Sequence, residues 1–353
     1  MPLLKRCAIV INNRSRGRHA AHAIEAALKG YLDRAGVVHH DIRIPNDDVE
    51  EQLRRAVPGV EALVLCGGDG TLNSVLNTMV AMSSSTDRAR GTAAAASLLE
   101  AVPLLLVPTG LHNSVATSLG VTSAERTVSS LAVGHSVRVP LWAVHLHSPD
   151  TPPGASPVRY MCSYIAVGTY AAAVQRQGRW RTAQEEYVSL PSRFCSFTAT
   201  ALFTTMTEEA APPAAACTAV LSCRGDDREG GVATTTAVAA IRLLVASQMP
   251  QLQPGYSLTP TATYHRRRLT VATATSEATR LRLWHLLHRE AREGYVVAED
   301  GVAVHEDVRG LHLDVAAVSG TTLVVVDGEC VEVPAGSRVS VAPTELTARL
   351  IVS

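Results

Sequence analysis

Lysine is almost missing from this chain. Lys5 and Lys29 are the only two among 32 basic residues, so the positive charge is carried by arginine. Any clamp on a phosphate must then use arginine or backbone N–H groups. Net formal charge is missing as well, because 32 acidic residues balance the basic ones. That leaves no basic footprint for a nucleic-acid partner. Paired cysteines are missing too. Seven cysteines (Cys7, Cys66, Cys162, Cys195, Cys217, Cys223, Cys330) are scattered, odd in number and without a Cys-x-x-Cys pair. They read as free thiols in a reducing compartment, and a zinc site is not expected. No stretch approaches the 18 or so uninterrupted apolar residues of a membrane-crossing helix. Met1 to Arg6 run straight into a first strand without the apolar core of a signal peptide. The expectation is a cytosolic protein, with membrane contact only at its surface, and the sequence leaves a homodimer open.

What is present is a chain of 353 residues, 46% hydrophobic and 18% charged. That length and composition suit a globular protein of two domains. Its centre is Cys66-Gly67-Gly68-Asp69-Gly70-Thr71-Leu72-Asn73. The apolar run Ala62 to Leu65 precedes it. Leu72, Val75, Leu76, Met79 and Val80 come next at helical spacing over Thr71 to Ala81. A strand, a glycine turn and an amphipathic helix bring N–H groups and the positive end of a helix dipole to one point, which suits a phosphate. Asp69 stands between the glycines, either as an ordinary cap or as a carboxylate for a metal ion or a substrate hydroxyl.

Two more polar loops leave strands in the same way. Asn12-Asn13-Arg14-Ser15-Arg16-Gly17 leaves Cys7 to Ile11, and Pro108-Thr109-Gly110-Leu111-His112-Asn113 leaves Pro103 to Val107. Helices are expected over Ala20 to Ala35, over Asp48 to Val57 behind a cap at Asn46 or Asp47, over Ser114 to Leu119 and over Ser123 to Val133. Ser83 to Ser97 reads as an insertion. The β-α-β-α-β-α order calls for a parallel sheet with its ligand beyond the carboxyl ends of the strands. Beyond Gly134 short alternating runs separated by Pro and Gly predict a mainly antiparallel β domain. Two helical segments interrupt it: Arg179 to Phe203, and Glu277 to Arg292 with Leu281, Trp284, Leu287 and His288 on one face.

With these motifs placed, the chain resembles the diacylglycerol kinase catalytic-domain superfamily, which includes sphingosine, ceramide and bacterial lipid kinases. Gly67 to Asn73 matches its glycine motif completely. The loops at Asn12 and Pro108 match its first and third motifs in part. Asp327-Gly328-Glu329, after the strand Leu323 to Val326, matches its Asp-Gly-Glu motif. The segment Thr279 to Trp284 also looks like the helix that precedes that motif in sphingosine and ceramide kinases. The resemblance implies a doubly wound α/β nucleotide domain over 1–136 and a β-sandwich lipid-binding domain over 137–353, its last segment packing back on the first, with the site in the cleft between them. It implies ATP and Mg²⁺ as cofactors and a lipid hydroxyl, of diacylglycerol or a sphingolipid, as acceptor at a membrane surface. Asp69 and Glu329 would be the catalytic carboxylates, with Asp69 also the candidate link to Mg²⁺. The nucleotide would be held by Asn12, Ser15, Gly17, Gly67, Gly68, Gly70, Thr71, Asn73, Gly110, Asn113, Asp327 and Gly328. Arg14, Arg16, Arg18, Arg179 and Arg181 are candidates to neutralise phosphate.

The chain departs from that pattern at several places. Asn13 replaces a proline and Arg16 a glycine in the first loop. Leu111 replaces a hydroxyl residue in the third, Pro140 stands where an aspartate often does, and Tyr170 stands at an aspartate that in sphingosine kinases meets the substrate amine. These departures leave two alternatives: a catalytically weak pseudokinase that binds nucleotide or lipid, and an NAD kinase, whose family also carries the Gly-Gly-Asp-Gly turn.

Overall fold

The computed structural model describes residues 4–12, 18–44, 48–84, 98–110, 112–121, 127, 130, 135–152, 156–187, 197–207, 217–224, 233–315 and 321–352. The chain divides into two compact units. The first comprises Met1–Leu141 with Thr344–Ser353, and the second comprises Trp142–Pro343. Two long strands, β5 (His135–His147) and β15 (Arg338–Val352), carry the chain from one unit into the other.

In the first unit β1 (Arg6–Asn12), β2 (Val38–Ile44), β3 (Ala62–Gly67), β4 (Leu104–Pro108) and the end of β15 pair in the order β2-β1-β3-β4-β15, every pair parallel. The cores of β1, β3 and β4 are almost wholly buried, which is why they read as continuous apolar runs, whereas the edge strand β2 is largely polar and half-buried. Cys7, Ile9, Ile11, Val64 and Val107 form one core with Leu28 and Leu32 of helix α1 (Arg18–Arg34). Helix α2 (Val49–Ala56) is capped by Asp48, whose carboxylate accepts from the Glu51 N–H at 3.2 Å. The cap thus falls on Asp48; Asn46 and Asp47 lie outside the described residues, as does most of 83–97 and of the helix expected over Ser123 to Val133. Helix α3 (Asp69–Ser84) packs along β3 and buries Leu72, Val75, Leu76 and Met79. Helix α4 (Ser114–Ser118) is a short turn ended by Gly120 at φ 77°.

In the second unit β7 (Tyr164–Gly168), β10 (Ile241–Ser247), β11 (Leu269–Thr275), β12 (Val302–Val315), β13 (Thr321–Val326) and β14 (Glu329–Pro334) are antiparallel, in the order β14-β13-β7-β10-β11-β12. Alternate residues face two different cores. Ile165, Val167, Leu244, Val271, Val324 and Val326 meet residues of β8 (Cys217–Arg224), β15 and β5 in a sandwich core. Tyr164, Ala166, Leu243, Val245, Ala272 and Val325 meet helices on the other side. β12 changes partners along its length. It pairs with β11 up to Val308, and then, past the left-handed Asp307 (φ 56°), with β8 and β15. A bulge is how one strand turns the corner of a sandwich. β8 also pairs with β9 (Ala233–Val238), and β5 with β6 (Val158–Met161).

The helical layer differs from the sequence reading in two ways. Helix α5 (Thr169–Tyr187) begins ten residues before Arg179, and α6 (Phe197–Met206) is separate from it. The predicted helix over Glu277 to Arg292 is broken into α7 (Arg280–His285), a π turn (Leu286–Glu290) and a last turn (Ala291–Glu293). A π turn inserts a residue into the 3.6 repeat and rotates the next turn of the helix about its axis. Leu283, Leu286, Leu287, Glu290 and Ala291 are buried, whereas Leu281, in the first turn of α7 and ahead of the π turn, is 62% exposed. Among the described residues no helix is long and apolar enough to cross a membrane.

Candidate functional site

The glycine turn is laced to the third loop. In the parallel register Ile11 lies beside Cys66, and Gly67 beside Pro108. The carboxyl ends of β1, β3 and β4 therefore lie side by side in the sheet. The Thr109 N–H donates to the Gly67 carbonyl (3.1 Å) and the Asp69 N–H to the His112 carbonyl (3.1 Å). Gly68 and Gly110 touch backbone to backbone: a Cβ on Gly110 would stand 2.4 Å from Gly68 Cα, and one on Gly68 would stand 2.6 Å from the His112 oxygen. At these two positions only glycine lets the loops close. The Asn12 amide donates to the Thr71 hydroxyl at 2.9 Å, tying the end of β1 to the first turn of α3.

Asp69 is 3% exposed. One carboxylate oxygen accepts from the Ser114 N–H at 2.7 Å, the other from the Val115 N–H at 3.1 Å. These are the opening amides of α4, so Asp69 caps a helix 45 residues downstream while starting α3 itself. The α3 dipole still faces the turn. Helix geometry leaves the N–H groups of Gly70 and Thr71 without an acceptor inside α3. Asn113 donates its amide to the Gly110 carbonyl at 2.8 Å, and its buried Oδ1 has no partner. The cradle therefore offers backbone donors and one orphaned acceptor between two loops, a donor set that fits a phosphate and a polar heterocycle. Asn73 is buried within α3, where it accepts from Asn77. Ser15, Gly17, Arg14, Arg16 and Leu111 lie outside the described residues, as do the side chains of Arg18 and Arg181.

The Asp-Gly-Glu motif belongs to the second unit. It is a two-residue hairpin between β13 and β14, with Asp327 at φ 47° and Gly328 at φ 84°. Two consecutive left-handed residues are the mark of a type I′ turn, which Asp-Gly forms readily. Asp327 is 1% exposed, and its carboxylate accepts from the N–H groups of Cys162 (2.6 Å), Ser163 (2.8 Å) and Tyr164 (2.9 Å). Its own N–H donates to the Tyr164 carbonyl. Glu329, at the start of β14, is exposed. Beside it the Cys330 thiol is pushed up to about 11, by desolvation first and then by the charge of Glu329, with Arg179 of α5 opposing. Arg179 is thus close enough for its charge to bear on this turn. Tyr170, in the first turn of α5, is wholly buried against Tyr164, Phe197 and Tyr256. It places an aromatic ring, not a carboxylate, at that position.

Metal ligation is limited. Among the described residues no group of three or more His, Cys, Asp or Glu is placed to hold an ion. A magnesium ion that arrives with a nucleotide needs only one or two protein carboxylates, because phosphates and water complete its shell.

The comparisons bear on the same regions. Residues 6–144 match the family model for the diacylglycerol kinase catalytic domain. No curated protein matches the chain. Among solved structures, a diacylglycerol kinase from Bacillus anthracis str. Sterne is similar over 100% of this chain and 98% of its own, at 12% identity and a TM-score of 0.58. Two structures of candidate diacylglycerol kinases from the same organism align over 100% of this chain and 97% and 99% of theirs, both at 13% identity, with TM-scores of 0.62 and 0.61. At that identity the likeness speaks to fold: an α/β unit joined to an antiparallel β-sandwich unit. Residues 6–144 thus match the diacylglycerol kinase catalytic domain, and the solved structures that share the fold of the whole chain are of that kind.

Proposed function

We propose that this protein transfers the γ-phosphate of ATP to the hydroxyl of a lipid, diacylglycerol or a sphingolipid. The observation that carries the reading is the closure of the glycine turn on the third loop, through Gly68 against Gly110 and through Asp69 on α4. That closure holds the N–H groups of Gly70 and Thr71 in fixed positions, as a phosphate cradle requires. Phosphoryl transfer asks little covalent chemistry of a protein; it asks for alignment and for charge placed ahead of the reaction. Gly67, Gly68, Gly70 and Thr71 would take the phosphates, and Asn12, Asn73, Gly110 and Asn113 would fix the nucleotide. Magnesium would neutralise charge developing between the β- and γ-phosphates. Glu329, exposed and with both oxygens uncommitted to backbone, suits the role of base for the acceptor hydroxyl. Asp69 is the other candidate, since its carboxylate stands at the cradle itself. Asp327 is better suited to holding the hairpin than to touching nucleotide, since its carboxylate is enclosed by three amides.

A second reading is a catalytically weak pseudokinase. It is favoured by the burial of Tyr170 and by the engagement of both Asp69 oxygens. ADP release measured with diacylglycerol, ceramide, sphingosine and NAD separates the readings. Stimulation by one lipid is expected, with Glu329→Gln lowering turnover by roughly 100-fold while the melting temperature stays unchanged. Nucleotide binding with no lipid-stimulated turnover would establish the pseudokinase, and turnover with NAD alone would overturn the lipid assignment.

A further inference from the structure

Where β6 passes into β7, the segment Cys162-Ser163-Tyr164 is buried and held at every backbone group. Its three N–H groups donate to the Asp327 carboxylate. Its three carbonyls are taken as well. The Tyr164 carbonyl accepts from the Asp327 N–H. The Ser163 carbonyl accepts from the Gln248 N–H (3.1 Å) and from the Ser247 hydroxyl (3.2 Å). The Cys162 carbonyl accepts from the side-chain amide of Gln248 at 2.6 Å. The segment is thus gripped by Asp327 of the hairpin on one side and by Gln248, just past β10, on the other.

Gln248 has no exposed surface. A glutamine so placed is costly unless its amide is used. Here both ends of the amide are engaged, because its oxygen accepts from the Trp142 indole N–H at 3.1 Å. An apolar side chain of equal length would fill the same space. What the amide adds is direction: a satisfied buried network fixes one arrangement of the chain it holds. The consequence falls on Glu329. Among the described strands β14 pairs with β13 alone, so it is an edge strand, and Glu329 is its first residue. Its place is set by the hairpin, the hairpin by the Asp327 carboxylate, and that carboxylate by three amides whose peptide units Gln248 anchors from behind.

We infer that Gln248, oriented by Trp142, is a positioning residue for Glu329. All of these residues lie in the second unit. The inference rests on the reading of Glu329 as the base, and its test separates the two. Gln248→Met keeps the length of the side chain and removes both of its hydrogen bonds. Turnover is expected to fall about tenfold, with the KM for ATP within about twofold of the wild type. Trp142→Phe removes only the donor to Gln248. It should show the same pattern at smaller size, and it carries the test if Gln248→Met does not fold. The double-mutant cycle decides between positioning and general loosening: with Glu329→Gln already present, Gln248→Met should lower turnover by less than about twofold, because the group it positions is gone. Hydrogen exchange at the amides of 162–164 is followed alongside, and Gln248→Met should speed it by about tenfold or more. Wild-type turnover in Gln248→Met, or a loss as large with Glu329→Gln as without it, overturns the inference. So does exchange at 162–164 that keeps its wild-type rate. If that exchange is raised while Glu329→Gln turns over as the wild type does, or while no acceptor is phosphorylated, the anchoring by Gln248 stands and the reading of Glu329 as base falls.

Discussion

Two Asp-Gly pairs, one in each unit, look alike in sequence and do different work. Asp69-Gly70 opens a 16-residue helix, and Asp327-Gly328 closes a tight hairpin. In both the aspartate is buried and spends its oxygens on backbone amides: two amides of α4 for Asp69, three at the start of β7 for Asp327. The difference lies in what remains unsatisfied nearby. Around Asp69 the loops leave first-turn amides and the Asn113 oxygen available to a ligand. Around Asp327 the carboxylate is consumed by three amides, and the neighbouring Glu329 and Cys330 are presented to solvent. A motif aspartate can thus serve a site by shaping the chain that carries the reactive group.

The largest break in that comparison is expected from Asp327→Ala. Three buried N–H groups would lose a charged acceptor at once, which should cost about 3–5 kcal/mol of stability in the second unit. Denaturant unfolding is the measurement, and a loss under about 1 kcal/mol would mean the three bonds add little net stability. Asp327→Asn keeps one acceptor oxygen and should recover part of the loss. If Asp327 acts only through the hairpin, Asp327→Asn should lower turnover more than it raises the KM for ATP.

Asp69 is expected to break more gently in stability and more sharply in chemistry. Two amides are orphaned rather than three, so Asp69→Ala should cost about 2–3 kcal/mol. Asp69→Asn should restore roughly half of that while leaving phosphoryl transfer depressed. Full recovery of both stability and turnover in Asp69→Asn would reduce Asp69 to a cap and leave Glu329 as the reacting carboxylate.

Much of this was legible because it is local. The strand, glycine turn and helix around Asp69 are set by apolar spacing, and Asp-Gly between two apolar runs announces a hairpin. What was not legible depends on partners remote in the chain. The amides that Asp69 captures lie 45 residues on, and those of Asp327 up to 165 residues back. No local pattern distinguishes a carboxylate aimed at a ligand from one aimed at a distant amide. The start of α5 was hidden because Tyr170 to Val174 are apolar and buried, which reads as a continued strand, and Gly178 interrupts the helical pattern. Helix α6 buries Thr200, Thr204 and Thr205 and leaves Leu202, Phe203 and Met206 exposed, which hid its orientation, since a periodic reading sends the Leu, Phe and Met stripe to the core.

The smallest effect concerns the tie between the first motif and the second. The Asn12 amide reaches the Thr71 hydroxyl from the end of β1, and Thr71 is itself 3% exposed. A single partly buried hydrogen bond between neutral groups contributes about 1 kcal/mol, so Asn12→Ala should lower stability by that amount or less. Its functional consequence differs in kind from those of the two aspartates. Removing the tie frees the rotamer of Thr71 at the mouth of α3 without touching Asp69 or the hairpin. Affinity for nucleotide should therefore fall several-fold with turnover at saturation nearly unchanged, whereas Asp69→Asn lowers turnover. Binding of a fluorescent ATP analogue beside steady-state rates checks this. An Asn12→Ala variant with normal affinity and reduced turnover would mean that the first loop aligns the γ-phosphate and does not merely hold the nucleotide.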